Sequence, residues 1–382
     1  MMEPETEAAL AEMIAAADGP LAIRGGGTRG PALAGAVLST RRLSGVELYE
    51  PGALTLVVRA GTPLAEVEAV LAEANQRLAF EPMDHRGLLG RAGTPTIGGV
   101  IAANVSGPRR IQAGAARDFL LGVRFVDGRG QVIRNGGRVM KNVTGYDLAR
   151  LLAGSHGTLG VLSEVALKVL PRPETAAMLQ VAGLEDARAV AALSAALTSP
   201  FEVTGAAHLP RGEDGAPQTL VRIEGFAASV AYRVARLRDL LARFGPVTLE
   251  DDPEAVAARW RALRDVAPFH GQPGDVWRLS VKPTAAPAIA ARLGALDLLY
   301  DWGGGLIWAR LPEGTDLRAR LLQGGDFAGH ATLVRGSEAT RARLGTFHPE
   351  PAPLARIAAE LRARFDPRAI LNPGLMAQPA EA

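Results

Sequence analysis

The chain has 382 residues, 48% hydrophobic and 5% aromatic, and its 42 Lys+Arg stand against 40 Asp+Glu for a formal net charge of +2. That length suits two domains and that apolar content suits a large core, and a near-balanced charge with no dense basic block argues against nucleic-acid binding. Cysteine is absent, which excludes disulfides, Cys-ligated zinc or iron–sulfur clusters and a cysteinyl flavin link on this chain.

The first residues, Met1-Met-Glu-Pro-Glu-Thr-Glu7, are acidic where a secretory signal would be basic, and no apolar run reaches spanning length. A cytoplasmic protein without a transmembrane segment is expected. Glu5 to Ala17 predicts an amphipathic helix. Leu21-Ala-Ile23 predicts a strand running into Arg24-Gly-Gly-Gly-Thr-Arg-Gly30, and further strands are expected at Ala36–Leu38 and Leu54–Arg59. Pro63 marks a helix start with Leu64, Val67, Val70 and Leu71 on one face. Gly93-Thr-Pro-Thr-Ile-Gly-Gly99 opens a small-residue stretch. Strands at Leu120–Val126 and Gln131–Arg134 flank Asp127-Gly-Arg-Gly130, a hairpin turn. Gly154-Ser-His-Gly-Thr-Leu-Gly160 leads into a strand over Val161–Val169, and Leu170-Pro-Arg-Pro173 closes the first domain.

From Thr175 the texture changes. Strand-like runs at Met178–Val181, Glu202–Leu209, Thr219–Glu224, Val247–Glu250, Val276–Val281, Gly305–Leu311 and Ala331–Val334 alternate with helical runs, clearest at Ala187–Leu197 and Val230–Phe244. Short units joined by tight turns point to an α+β domain with a largely antiparallel sheet. A last helix, Leu354–Phe365, precedes Leu371-Asn-Pro-Gly374, and no tandem repeat is evident.

The three glycine segments carry the chemistry. Glycine lets backbone approach closely and take positive φ, and clustered N–H groups form a concavity for a pyrophosphate. Gly25, Gly27 and Gly30 match G-x-G-x-x-G, but no crossover helix fits before the next strand, so a strand–loop–strand phosphate cradle with Arg24 beside it is the better reading than a Rossmann turn. An ordinary turn here, and a merely well-packed small-residue helix over 93–107, remain alternatives. Tyr146 and Asp147, in Lys141-Asn-Val-Thr-Gly-Tyr-Asp-Leu148, read as a capping and packing unit.

In this order the segments resemble the FAD-binding domain of the vanillyl-alcohol-oxidase/PCMH flavoprotein superfamily. Arg-Gly-Gly-Gly-Thr, Thr-Ile-Gly-Gly, Gly-Thr-Leu-Gly-Val-Leu-Ser-Glu and the terminal Leu-Asn-Pro-Gly are all present, over roughly residues 20–173 and 365–376. Gly107-Pro-Arg-Arg110, Gly114-Ala-Ala-Arg-Asp118, Val139-Met-Lys-Asn-Val-Thr-Gly-Tyr-Asp147 and Val169-Leu-Pro-Arg-Pro173 narrow the resemblance to the small FAD-binding, E-type subunits of bacterial glycolate oxidase.

The resemblance implies an α+β fold: a PCMH-type FAD-binding domain of two α/β subdomains over 1–173, a smaller antiparallel-sheet cap over 174–345, and a segment over 346–382 returning to the first domain, with the flavin between domain and cap. FAD would be held by Arg24, Gly25, Gly26, Gly27, Thr28, Arg29 and Gly30, by Gly93, Thr94, Thr96, Ile97, Gly98 and Gly99, by Asn104 and Gly107, by Gly157, Gly160 and Val161, and by Asn372. Thr28 stands where covalent relatives supply a His, so FAD is expected to be non-covalent. The implied reaction is glycolate to glyoxylate, with a larger FAD-containing catalytic subunit and an iron–sulfur subunit as partners, and peripheral attachment at the inner membrane through them.

The cap departs from larger relatives, which carry a His-Gly-His-type element. Here the corresponding stretch, Gly324 to Arg335, has one histidine. His85, His156, His208, His270, His330 and His348 show no ligand-like spacing, and no metal site is expected. Arg110, Tyr146 and His330 are the available substrate-handling groups, none compelling, and no catalytic residue is assigned. A self-sufficient FAD-linked oxidase of another hydroxy acid or alcohol, and a non-catalytic assembly subunit, stay open.

Overall fold

The computed structural model describes residues 1–138, 145–212, 214–323 and 327–376. The chain divides into two compact units, one of Met1–Ser106, Gly114–Arg172 and the chain from Pro349, the other of Gly107–Ala113 and Pro173–His348.

The first unit begins with the helix Glu7–Ala15, whose start is held by Thr6 accepting from the Ala9 N–H at 3.1 Å. Its Leu10 and Ile14 pack on Leu21, Leu38, Leu43, Val126, Val161, Ile370 and Leu371. Strands β1 (Leu21–Arg24) and β2 (Ala36–Ser39) pair in parallel, and isolated parallel bridges add Met2 beside Leu38 and Leu371 beside Leu21. Both ends of the described chain therefore flank this ribbon. The strands that follow are β3 (Val46–Glu50), β4 (Thr55–Arg59), β5 (Gln76–Arg77), β6 (Leu120–Val126), β7 (Val132–Gly136), β8 (Val161–Lys168) and β9 (Leu170–Pro171). An antiparallel sheet runs β3-β4-β8-β6-β7, and β5 pairs with β9. The centre of that sheet is β8, buried for most of its length, which explains its near-continuous apolar sequence. The turn between β6 and β7 is built by Asp127, whose Oδ1 accepts from the N–H groups of Arg129 and Gln131, both at 2.9 Å. Leu54 is in the left-handed region at φ 51°, so β4 starts one residue later than its apolar run predicts.

The second unit contains β10 (Thr175–Ala182), β11 (Gly205–Leu209), β12 (Gln218–Gly225), β13 (Val247–Glu250), β14 (Asp275–Val281), β15 (Asp297–Asp301), β16 (Leu306–Leu311) and β17 (Gly329–Arg335). They form a sheet ordered β13-β10-β12-β11-β15-β16-β14-β17. Every neighbouring pair is antiparallel, as the sequence texture predicts. With the helices Asp186–Leu197 and Ala227–Leu241, the first half reads strand-helix-strand-strand-helix-strand. With Ala286–Leu293 and Leu317–Leu322, the second half repeats that order. The halves meet where His208 of β11 pairs with Tyr300 of β15. Each half has its own core. The duplication is one of topology, which needs only the same burial pattern twice, and so it leaves no repeat in the residues. The α+β expectation holds. The sequence reading misses β15, because Asp297 and Asp301 bracket it; Asp297 pairs with Arg310, and Asp301 accepts from the Trp302 N–H at 2.7 Å.

Among the described residues, no helix is long and apolar enough to cross a membrane.

Candidate functional site

The first two glycine segments lie back to back. An ideal Cβ on Gly26 would sit 1.6 Å from the Thr94 carbonyl oxygen, one on Gly25 2.3 Å from Thr96 Oγ1, and one on Gly93 2.5 Å from the Gly26 carbonyl oxygen. Gly26 and Gly93 are glycine because two loops touch main chain to main chain there, and Gly25 because the Thr96 side chain lies against it. That differs from the expectation that all of them exist to let a cofactor approach. Gly27 and Gly30 are different, with φ of 71° and 69° and no atom within 4 Å of their Cβ directions. They supply the left-handed turns that curl the loop. The connection from β1 to β2 is this loop itself, with no helix, which rules out a Rossmann turn.

Behind the loop, the short helix Ile97–Ala102 starts at Thr96, whose Oγ1 accepts from the Gly99 N–H at 3.3 Å. Gly98 is pressed on Ala60: its N–H donates to the Ala60 carbonyl at 2.8 Å, and a Cβ would lie 2.7 Å from that residue. The third segment closes the far side. Gly154 N–H donates to Ile101 O at 3.2 Å and His156 N–H to Ala102 O at 2.9 Å. Asn372 then clasps the ends together. Its Oδ1 accepts from the Ile23 N–H at 2.7 Å, its Nδ2 donates to the His156 carbonyl at 2.8 Å, and its own N–H donates to Leu21 O at 3.0 Å. Asn372 holds φ 46°, a conformation that asparagine tolerates better than most residues.

These segments enclose a cavity of about 360 Å³ in the first unit, within the ~300–1,000 Å³ range of small-molecule sites. Of the sequence-predicted residues, it brings together Arg24 to Gly30, Thr96, Gly98, Gly99, Gly157, Gly160, Val161 and Asn372. Gly93, Thr94 and Ile97 stand behind it as support. Asn104 and Gly107, expected near the cofactor, are placed otherwise. Asn104 Oδ1 accepts from the Arg117 N–H at 3.1 Å, and Gly107 belongs to the second unit, where its carbonyl accepts from Trp302 Nε1 at 3.1 Å.

The sequence reading missed Arg91 and His156, both in the wall. The signal was present: a basic residue just before Gly93, and a histidine inside a glycine run. The wall carries Arg24, Arg29 and Arg91 and no carboxylate. Arg29 Nε donates to His85 Nδ1 at 3.3 Å, and burial draws its pKa down to about 10 against the opposing pull of Asp84. Arg91 Nη1 donates to the Arg29 carbonyl at 3.2 Å, and burial, then the like charge of Arg24, lowers its pKa. Crowded cations with open N–H-rich turns favour an anion. An apolar wall of Ile23, Leu33, Ala60, Leu162 and Leu375 accompanies them. A dinucleotide with a diphosphate and flat rings fits this donor set.

Burial holds the His156 imidazole at a pKa of about 4, against an ordinary 6.5. It is neutral at physiological pH. The unfolded chain binds the proton more readily between those values, so this residue's contribution to stability is complete above 6.5 and is lost as pH falls toward 4. His156→Asn, which tolerates the φ of 53°, should flatten the acid side of the stability profile. Urea melts at pH 7 and pH 5 check it; an unchanged slope would refute the assignment.

The other sequence candidates lie elsewhere. Asp147 caps the helix Leu148–Leu152 by accepting from the Arg150 N–H at 3.0 Å, but Tyr146 is 88% exposed. His330 is exposed on β17 with its ring 6.0 Å from that of His348, rather than buried in packing. Arg110 lies beside Trp302 in the second unit. Residues 139–144 of the Val139–Asp147 motif and 324–326 of the Gly324–Arg335 stretch lie outside the described residues.

A family model described as an FAD binding domain matches residues 1–136. Glycolate oxidase subunit GlcE of Escherichia coli (strain K12) is 34% identical over 365 residues, 94% of this chain and 92% of that protein. Glycolate oxidase subunit GlcD of Bacillus subtilis (strain 168) is 32% identical over 246 residues, 63% of this chain and 49% of its own length. Among solved structures, an alkyldihydroxyacetonephosphate synthase matches with a TM-score of 0.70 at 16% identity, covering 97% of this chain and 76% of that one. This last likeness bears on the fold alone.

Proposed function

The chain belongs to the glycolate oxidase GlcE-type subunits of the PCMH-type FAD-binding proteins, and from that premise we propose that it serves a complex oxidising glycolate to glyoxylate, with electrons leaving through an iron–sulfur partner. The observation that carries the reading is similarity to GlcE along nearly the whole of both chains. FAD is the cofactor. Arg24, Arg29, Arg91 and the turns at Gly27 and Gly30 would hold its diphosphate, and the apolar wall its rings. When bound, the flavin supplies hydride acceptance, while protein groups bind and orient it.

The division of labour follows from what surrounds the cavity. A catalytic base works best with a pKa near the operating pH. His156, at about 4, is a weak one. The absence of cysteine leaves no Cys-ligated relay on this chain. A larger flavin-containing subunit would supply the substrate groups and an iron–sulfur subunit the relay, and any attachment to the inner membrane would run through them.

The test compares the purified chain with the complex recovered from its native host, using one dye acceptor. The lone chain should carry FAD that acid precipitation releases, and it should oxidise glycolate poorly per flavin; the complex should do so well. Equal turnover per FAD by the lone chain would replace this reading with a self-sufficient oxidase. Colour staying with the precipitated protein would refute non-covalent binding.

A further inference from the structure

One histidine touches the cofactor site from behind. His85 directly precedes the short helix Arg86–Leu89 and is half-buried. Its Nδ1 lies 3.3 Å from Arg29 Nε and also 3.3 Å from the Met83 carbonyl oxygen. That carbonyl accepts from Arg29 Nη2 at 3.4 Å. Two of the three guanidinium nitrogens are therefore held by the segment behind the loop. The third, Nη1, lies 3.3 Å from where a Cβ on Gly99 would stand, and Gly99 is in the cavity wall. Among the described residues, Nη1 has no hydrogen-bond acceptor.

A guanidinium only donates, so Nδ1 meets Arg29 through its lone pair and the ring proton of the neutral imidazole belongs on Nε2. Protonation reverses this. Both ring nitrogens then carry N–H, and Nδ1 faces another donor and a like charge, while the Met83 carbonyl stays available at the same distance. One nitrogen thus selects between a cation and a carbonyl by its protonation state, and histidine is the side chain that titrates between about pH 5 and pH 8. The charged neighbours on its own segment are Asp84 and Arg86, which pair with each other: Arg86 Nε and Nη2 donate to Asp84 Oδ2 at 3.0 and 2.8 Å, and Arg86 Nη1 donates to the Gly93 carbonyl at 3.3 Å. Across from them stand Arg29 and Arg91, whose Nη1 donates to the Arg29 carbonyl at 3.2 Å.

We propose that His85 is a positioning residue for the cofactor: neutral, it holds the Arg29 fork with Nη1 toward the cavity, and protonated, it releases Arg29 and weakens FAD retention. The proposal rests on FAD occupying this cavity and is independent of glycolate as the substrate. A positive charge on His85 would by itself attract a diphosphate. Water around a half-exposed ring screens that charge, whereas the Arg29 fork acts in direct contact, so the loss of position outweighs the added attraction.

The experiment titrates the full chain, freed of flavin, with FAD at about pH 7.5 and about pH 5.5, within the histidine range, and reads flavin fluorescence, with circular dichroism to confirm folding. His156 stays neutral over that range, because its pKa is about 4. For the wild type, the dissociation constant should rise about tenfold at the lower pH, the size of one charge-assisted hydrogen bond. His85→Ala should bind about tenfold more weakly at the higher pH and show no further loss at the lower one. His85→Asn places an amide oxygen where Nδ1 stood and does not titrate, so it should bind as the wild type does at the higher pH and keep that affinity at the lower. An Ala variant with wild-type affinity at the higher pH would overturn the proposal, as would a wild type indifferent to pH. If the Ala variant does not fold, the Asn variant decides, since an acid loss equal to that of the wild type would assign the titration to another group. A wild type that binds no FAD at either pH would overturn the cavity assignment along with this proposal; normal wild-type binding with unaltered variants overturns this proposal alone.

Discussion

Gly26→Ala should abolish flavin retention, although alanine is the smallest possible change. The added methyl would lie 1.6 Å from the Thr94 carbonyl oxygen and 2.6 Å from its carbon. Neither is the end of a flexible side chain. In the opposite direction, a Cβ on Gly93 would lie 2.5 Å from the Gly26 carbonyl oxygen, so the two backbones lie too close to admit a side chain on either. The loops must separate, and the phosphate cradle separates with them. Overpacking of this kind costs about 1–3 kcal/mol in stability, and the misplaced cradle should weaken FAD binding by roughly 100-fold or more, about 2.7 kcal/mol. Gly27 provides the contrast. Its Cβ direction is open, so Gly27→Asn should cost little, whereas Gly27→Asp places a carboxylate in a wall that has none. At ~4 Å from a phosphate, like charges repel by about 4 kcal/mol at an effective dielectric of 20. Flavin fluorescence titrations of the three variants, with circular dichroism to confirm folding, check both mechanisms. A folded Gly26→Ala variant with normal affinity would show that the loops do not meet this way, and equal affinities for the Asn and Asp variants would remove the diphosphate from this wall.

Asn372→Ala should be the most destabilising polar substitution at the site. It removes the acceptor of the Ile23 N–H and the donor to the His156 carbonyl. Each orphaned group costs about 1–3 kcal/mol, and alanine at φ 46° adds about 1 kcal/mol. At roughly 2–4 °C per kcal/mol for a unit of this size, the melting temperature should fall by about 10 °C. Flavin should be lost in the same transition, because the residue also lines the cavity. Asn372→Asp separates the two effects: it keeps an acceptor for Ile23 and brings a charge to the wall, so it should lose FAD affinity with a smaller drop in melting temperature. A melting temperature within 2–3 °C of wild type for the Ala variant, on the scale set above, would mean that the clasp does not hold the unit together.

The sequence by itself determined most of the strands and the chemical class. Residue alternation in Val276–Val281, the apolar run of β8, and the Pro63 and Asp127 punctuation are local signals, set by which neighbours within a few residues enter a core. The order of the three glycine segments and the final Leu-Asn-Pro-Gly was equally legible, because turns and left-handed positions restrict residue type directly. What only the tertiary structure decided were relations between distant positions. Gly25 and Gly26 are glycine because of Thr94 and Thr96, some seventy residues away, and no local pattern records a neighbour that arrives by folding. Arg91 and His156 enter the wall the same way, and Gly107 leaves it for the second unit. The doubled topology of the second unit was hidden for a related reason: a sheet needs alternation and turn positions, not matching residues, so the fold repeats where the sequence does not.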